Sequence, residues 1–261
     1  MPFWIRWREV RKWPIVRSIH YGLDLARALR YCHHEAFPGL RVLHRDIKPN
    51  NIGILDDDRL VLFDFGLASL WSADDKGVID DTPRKLTGET GSLRYMAPEG
   101  ALSWPYNHKA DVFSFMSVVW EMCAFRKPYE DLSPDVFMKA IGNGHRPAVP
   151  KKWPQPLKDL MARCWAHEPD QRPDFRAIVP ELEGVIKDVV ASEQKKSGAA
   201  KGAHVEAPGA RPVGNGVGLL RDARLVQPLA VRRVLAVCAT TPSSEHGAHT
   251  CAARTRFDPA A

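Results

Sequence analysis

Asp46, Lys48 and Asn51 lie within six residues of one another in His44-Arg45-Asp46-Ile47-Lys48-Pro49-Asn50-Asn51, and a further carboxylate, Asp64, follows thirteen residues later. A carboxylate can accept a proton or hold a hard cation, an amide oxygen can join that cation's shell, and a lysine beside them offsets negative charge. Such a set suits the transfer of a phosphoryl group, which spreads negative charge over several oxygens and calls for bound cations and a positive side chain nearby. The run Leu60-Val61-Leu62-Phe63 leads directly into Asp64-Phe65-Gly66, so Asp64 sits where a strand would end.

The surrounding elements have to bring these groups together. The apolar runs Ile52-Gly53-Ile54-Leu55 and Leu60 to Phe63 flank Asp56-Asp57-Asp58, which predicts a small β-hairpin with a solvated acidic turn. Across residues 17–37, Ile19, Leu23, Ala26, Leu29 and Cys32 recur at three- and four-residue steps, which predicts a helix that Pro38 and Gly39 end. Residues 112–125, 134–141, 156–166 and 175–190 are each periodic enough to bury one helical face. Between them, residues 69–89 hold five acids and few apolar residues, which predicts a mobile surface loop. The expected fold is α+β, mainly helical beside one hairpin.

The octapeptide at residues 44–51, Asp64-Phe65-Gly66 and Ala97-Pro98-Glu99 occur in the order and spacing of the eukaryotic protein kinases, and over residues 13–190 the chain resembles the C-terminal lobe of that family. The resemblance implies a protein kinase-like fold, ATP and Mg2+ as cofactors and proteins as substrates. It implies that Asp46 accepts the substrate hydroxyl proton, that Lys48 steadies the transferred group and lies against the nucleotide, and that Asn51 and Asp64 hold the magnesium. Lys48 two residues after Asp46 resembles serine/threonine kinases more than tyrosine kinases. Cys164-Trp165, Pro169 and Arg172-Pro173 resemble the late motif of the tyrosine-kinase-like group, in which Arg172 pairs with Glu99. By the same resemblance Ser92 contacts Asp46 and Lys48, Asp111 braces the catalytic-loop backbone, and Arg45 pairs with a phosphorylated loop residue, for which Thr82, Thr87 and Thr90 are candidates.

The family also has a five-stranded upper lobe with a glycine-rich loop and an ATP-gripping lysine. Pro2 to Val16 contains no glycine, so residues 1–16 read as a remnant ahead of the lobe at residues 17–190, and the chain reads as a truncated kinase, weak or inactive alone. The competing expectation is a kinase-lobe module that binds kinases or substrates and transfers nothing. Apolar surface facing the absent half predicts a partner that caps it.

Residues 191–261 turn to Ala, Gly, Pro and Arg without sustained periodicity and read as a low-complexity, disordered tail. Of the net charge of +6, ten basic and five acidic residues lie in residues 193–258, which leaves the lobe close to neutral and argues against nucleic-acid binding. No run approaches 18 apolar residues, so no membrane span is expected. Five cysteines with no Cys-x-x-Cys pair fit a reduced, intracellular setting, with the cytoplasm as the expected compartment.

Overall fold

A computed structural model of the chain describes residues 13–86, 92–201 and 249–250. The readings of residues 1–12, Thr87, Thr90 and the tail beyond residue 201, apart from that last pair, fall outside them. The first helix, α1 (Ile15–His34), follows Pro14 and runs for 20 residues. All five residues of its expected stripe are buried, but so are Tyr21, Leu25 and Ala28, because the helix is enclosed on more than one side. It packs against α3 (Lys109–Ala124) and α6 (Phe175–Lys201) and also meets the strands. A Cβ on Gly22 would stand 3.1 Å from Val119 Cγ2, so the crossing of α1 and α3 leaves little room for a larger side chain.

Helix α3 is the hub of the core. Val112, Phe113, Phe115, Met116, Val118, Val119 and Met122 are fully buried, so the helix is apolar around most of its circumference, as a central helix must be. Helix α5 (Gln155–Cys164) packs against it, and the short helices α2 (Pro98–Ala101) and α4 (Pro134–Gly142) contact each other. Helix α6 continues past Val190 to Lys201, eleven residues into the stretch assigned from composition to the tail.

After α1, Gly39 takes a left-handed φ of 69°, which bends the chain into β1 (Leu40–Leu43). Strands β2 (Ile52–Ile54) and β3 (Leu60–Leu62) form the expected hairpin, with Ile52 opposite Leu62 and Ile54 opposite Leu60. Its acidic turn is anchored as well as solvated: Arg17 donates to both oxygens of Asp58 at 2.8 and 3.0 Å, and the Tyr21 hydroxyl donates at 2.7 Å, docking the hairpin tip on α1. Strands β1 and β3 pack against α1.

The mobile loop expected over residues 69–89 needs correction at its start. Strand β4 (Ser69–Ser72) pairs antiparallel with β1, Leu43 opposite Ser69 and Leu40 opposite Ser72, and the two-residue β5 (His249–Thr250) lies on its other edge. Trp71 is fully buried against Leu43, Leu86 and Tyr106, with the Arg84 guanidinium 4.4 Å from its ring centre. One large aromatic ring thus supplies the anchor that the polar composition concealed.

Among the described residues, the exposed large apolar side chains are Leu55, Phe63, Val78, Trp104, Val136 and Val190. Only Leu55 and Phe63 belong to the hairpin beside the site, which gives no support to a capping partner.

Candidate active site

The segment between β1 and β2 carries the candidate catalytic residues, and its shape is set from below by Asp111 in the first turn of α3. One oxygen of the Asp111 carboxylate accepts the His44 N–H at 2.8 Å and the His33 ring nitrogen Nε2 at 2.8 Å, while the other accepts the Arg45 N–H at 2.9 Å. These bonds hold Arg45 in the left-handed region at a φ of 68°. Burial pushes the Asp111 carboxyl up, but the His33 hydrogen bond, the fields of the His33 and His44 rings and the Arg45 amide outweigh it and hold the group below its ordinary value. The same carboxylate therefore fixes the loop and stays ionised while doing so.

The next residue, Asp46, is buried and shared. Lys48 Nζ donates to its Oδ2 at 2.7 Å, and the Asn51 amide nitrogen donates to that Oδ2 at 3.0 Å and to the Asp46 carbonyl at 2.8 Å. Among the described residues, Asp46 Oδ1 is buried with no hydrogen-bond partner. Because Asn51 spends its nitrogen on Asp46, its side-chain oxygen is left out of that pair of bonds. A backbone bond of 3.0 Å from the Phe63 N–H to the Asn51 carbonyl puts Asn51 and Asp64 at the same end of the hairpin.

Asp64 is exposed, has a φ of 62°, and accepts the Gly66 N–H at 3.3 Å with one oxygen. Next to it, Phe65 is buried with Cys32, Val42 and Ala68. His44 links the two halves of the site: its ring lies 4.8 Å from that of Phe65, and its Nε2 meets the Phe63 carbonyl at 3.2 Å. Burial lowers the His44 pKa, consistent with an uncharged packing residue.

These groups fit magnesium and a nucleotide phosphate by donor type. An exposed carboxylate and an amide oxygen are hard donors of the kind Mg2+ takes, and the unmatched Asp46 oxygen offers an acceptor beside them. Among the described residues no cluster of three His, Cys, Asp or Glu side chains could hold a metal by itself, so water and phosphate oxygens would have to complete the shell.

Among the described residues Ser92 makes no hydrogen bond to Asp46 or Lys48, and Lys48 donates to Asp46 itself. Ser92 lines a cavity of about 670 Å3 together with Pro49, Asn50, Tyr95, Glu121 and Phe137. Arg45 donates to the Tyr106 hydroxyl at 2.7 Å and to the Leu67 carbonyl at 3.1 Å. Thr82 is exposed.

Lower in the lobe, Arg172 and Glu99 form a buried two-pronged pair at 2.5 and 2.9 Å, and Arg172 also donates to the carbonyls of Lys109, Ala166 and His167. Reading the sequence did not single out Glu121, whose carboxylate accepts the Tyr95 hydroxyl at 2.6 Å beside the cavity. Burial raises its pKa to about 7, against the lowering by that bond. A glutamate inside the apolar run from Val118 to Cys123 was the available signal.

Comparison with known proteins bears on the same residues. The family model for protein tyrosine and serine/threonine kinases matches residues 8–182, which include both halves of this site. The chain belongs to the protein kinase family. Its relatives include the serine/threonine-protein kinases VIK and STY46 of Arabidopsis thaliana, 37% and 35% identical over 67% and 69% of this chain. The dual specificity protein kinase shkB of Dictyostelium discoideum is 39% identical over 66%. These regions are 39%, 30% and 25% of the three relatives, so this kinase chain spans well under half the length of each. No helix among the described residues is long and apolar enough to cross a membrane.

Proposed function

We propose that the chain supplies the hydroxyl-activating and metal-holding half of a serine/threonine protein kinase site. The observation that carries this is the arrangement at Asp46, a buried carboxylate with Lys48 and Asn51 on one oxygen and, among the described residues, no partner on the other. Asp46 is the acceptor for the proton of a Ser or Thr hydroxyl on a protein substrate. Lys48, already on that carboxylate, offsets the charge that the proton's departure leaves beside it. Asn51 and Asp64 are the residues that would hold magnesium. Mg-ATP, when bound, supplies the transferable phosphoryl group and the cations that neutralise its oxygens. The serine/threonine assignment leans on Lys48 and on the names of VIK and STY46; the dual specificity name of shkB makes tyrosine the alternative to test.

The 261 residues contain no Gly-x-Gly-x-x-Gly, so we read the chain as a kinase piece that lacks the phosphate-covering loop and transfers slowly alone. The test is phosphoryl incorporation into a generic protein substrate at millimolar Mg-ATP, with the full chain alone and with a glycine-rich upper lobe fused ahead of Met1. Phosphoserine or phosphothreonine that Asp46→Asn abolishes is the expected result. Incorporation indifferent to Asp46 would overturn the assignment of that residue. No incorporation even in the fusion would leave the reading of a kinase lobe that binds partners or substrates without transfer.

A further inference from the structure

Arg41 lies in the middle of β1, opposite Trp71 of β4, and is 7% exposed. Its Nη1 meets two groups: Asp81 Oδ1 at 2.5 Å and His108 Nδ1 at 2.7 Å. The second partner cannot balance its charge, because a ring nitrogen that accepts from a guanidinium carries no proton. Burial, together with the charges of His33, Arg41 and Lys109, pushes the His108 pKa far below its usual value, which agrees with that geometry. Arg41 Nε is, among the described residues, buried without a partner. Among the described residues, Asp81 is therefore the carboxylate paired with this buried cation, and it reaches in from an exposed position.

Asp81 belongs to the segment that leaves β4 and leads toward Ser92. Its carbonyl accepts the Asn107 side-chain N–H at 2.7 Å, and three residues on Arg84 exchanges backbone bonds of 3.0 and 3.1 Å with Tyr106. Both contact points lead to the catalytic loop by short covalent paths. Arg41 lies on β1 three residues before His44, which follows the strand's end, and His108 precedes Asp111, which holds the His44 and Arg45 amides, by three residues. The His33 ring closes the path, 5.5 Å from the His108 ring and hydrogen-bonded to Asp111.

We propose that Asp81 is a positioning residue, a built-in charged anchor that seats the segment after Asp64 on β1 and α3 with no phosphate on that segment. A phosphorylated residue would order such a loop by bringing negative charge to an arginine. Asp81 already delivers negative charge to one, and to an arginine with little access to water. Its effect on phosphoryl transfer rests on the kinase reading above, whereas its effect on the loop does not.

Amide hydrogen exchange on the full chain separates the two. In phosphatase-treated protein, residues 79–86 should keep the protection they have before treatment. Asp81→Asn should speed their exchange about tenfold with little change in melting temperature, since only a local opening is made easier. Asp81→Glu should restore most of the protection by keeping the charge. Unchanged exchange in Asp81→Asn, or a phosphatase effect as large as that substitution, would overturn the anchor. In the fused protein used for transfer assays, Asp81→Asn should lower kcat and leave KM for ATP unchanged. A rise in KM alone would overturn the positioning role. If no Asp46-dependent transfer is found, the kinase reading fails while the exchange result still decides the anchor.

Discussion

Glu121 shows how one side chain's surroundings set its titration. Its carboxyl is 1% exposed and is held protonated up to about pH 7 in the fold, whereas in the unfolded chain it ionises near its ordinary value of 4.5. Between those two values the folded state binds the proton more tightly, so its contribution to stability is full at acid pH and is lost as pH rises toward and past 7. Glu121→Gln should remove that slope, a difference of about 2 kcal/mol between pH 5 and pH 8 in urea unfolding; parallel curves for the two proteins would refute it. At Asp46 the expectation concerns rate: Asp46→Asn should lower transfer about a hundredfold or more with an unchanged melting temperature, since the amide keeps its neighbours' hydrogen bonds but cannot take the proton. The residues of the central site were legible because Asp46, Lys48 and Asn51 lie within six positions of one another and Asp64 follows a strand-like run. Arg41, Asp81 and His108 were not, because each takes its meaning from a contact 40 or 67 residues away, which no spacing reveals.

At the scale of elements, the Arg172–Glu99 pair joins the turn before α6 to the start of α2, and its two members should not be equivalent. Arg172→Met leaves the Glu99 carboxylate buried and strips a donor from three carbonyls, those of Lys109, Ala166 and His167. Glu99→Gln leaves Arg172 charged but still hydrogen-bonded to those carbonyls. Both should destabilise, Arg172→Met by about 3 to 5 kcal/mol and Glu99→Gln by less, as measured by denaturant unfolding; equal costs would contradict the role given to the carbonyls. The helices announced themselves through periodicity, with ends off by up to three residues except at α6, which runs eleven residues past its expected end, since a helix end is decided by capping and docking. Strands β1 and β4 went unread for a different reason. Each is four residues long, they pair across a gap of more than twenty residues, and neither alternates strongly enough to stand out from a loop. The hairpin β2–β3 could be read because its pairing is local.

For the molecule as a whole, the central question is how much of a nucleotide site one lobe can provide. Asp64, Asn51 and Lys48 offer donors for cations and charge for phosphate, yet nothing in the 261 residues matches the glycine-rich loop that closes over the phosphates in this family. Among the described residues, binding then relies on these few groups, with water competing for each hydrogen bond. Calorimetry with the full chain should accordingly give Mg-ATP affinity no tighter than about 1 mM, an interaction of only about 4 kcal/mol. Asp64→Ala should abolish the heat of binding, because it removes the exposed carboxylate assigned to the cation, while costing the fold little, since among the described residues Asp64 accepts one bond, from the Gly66 amide. Fusion of a glycine-rich lobe ahead of Met1 should tighten binding at least about tenfold, since a second wall adds contacts to groups already in place. Micromolar affinity in the chain alone would show that the lower lobe encloses the nucleotide by some other means. Binding in the fusion that survives Asp64→Ala would remove the cation from Asp64 and leave Asn51 as its remaining proposed ligand.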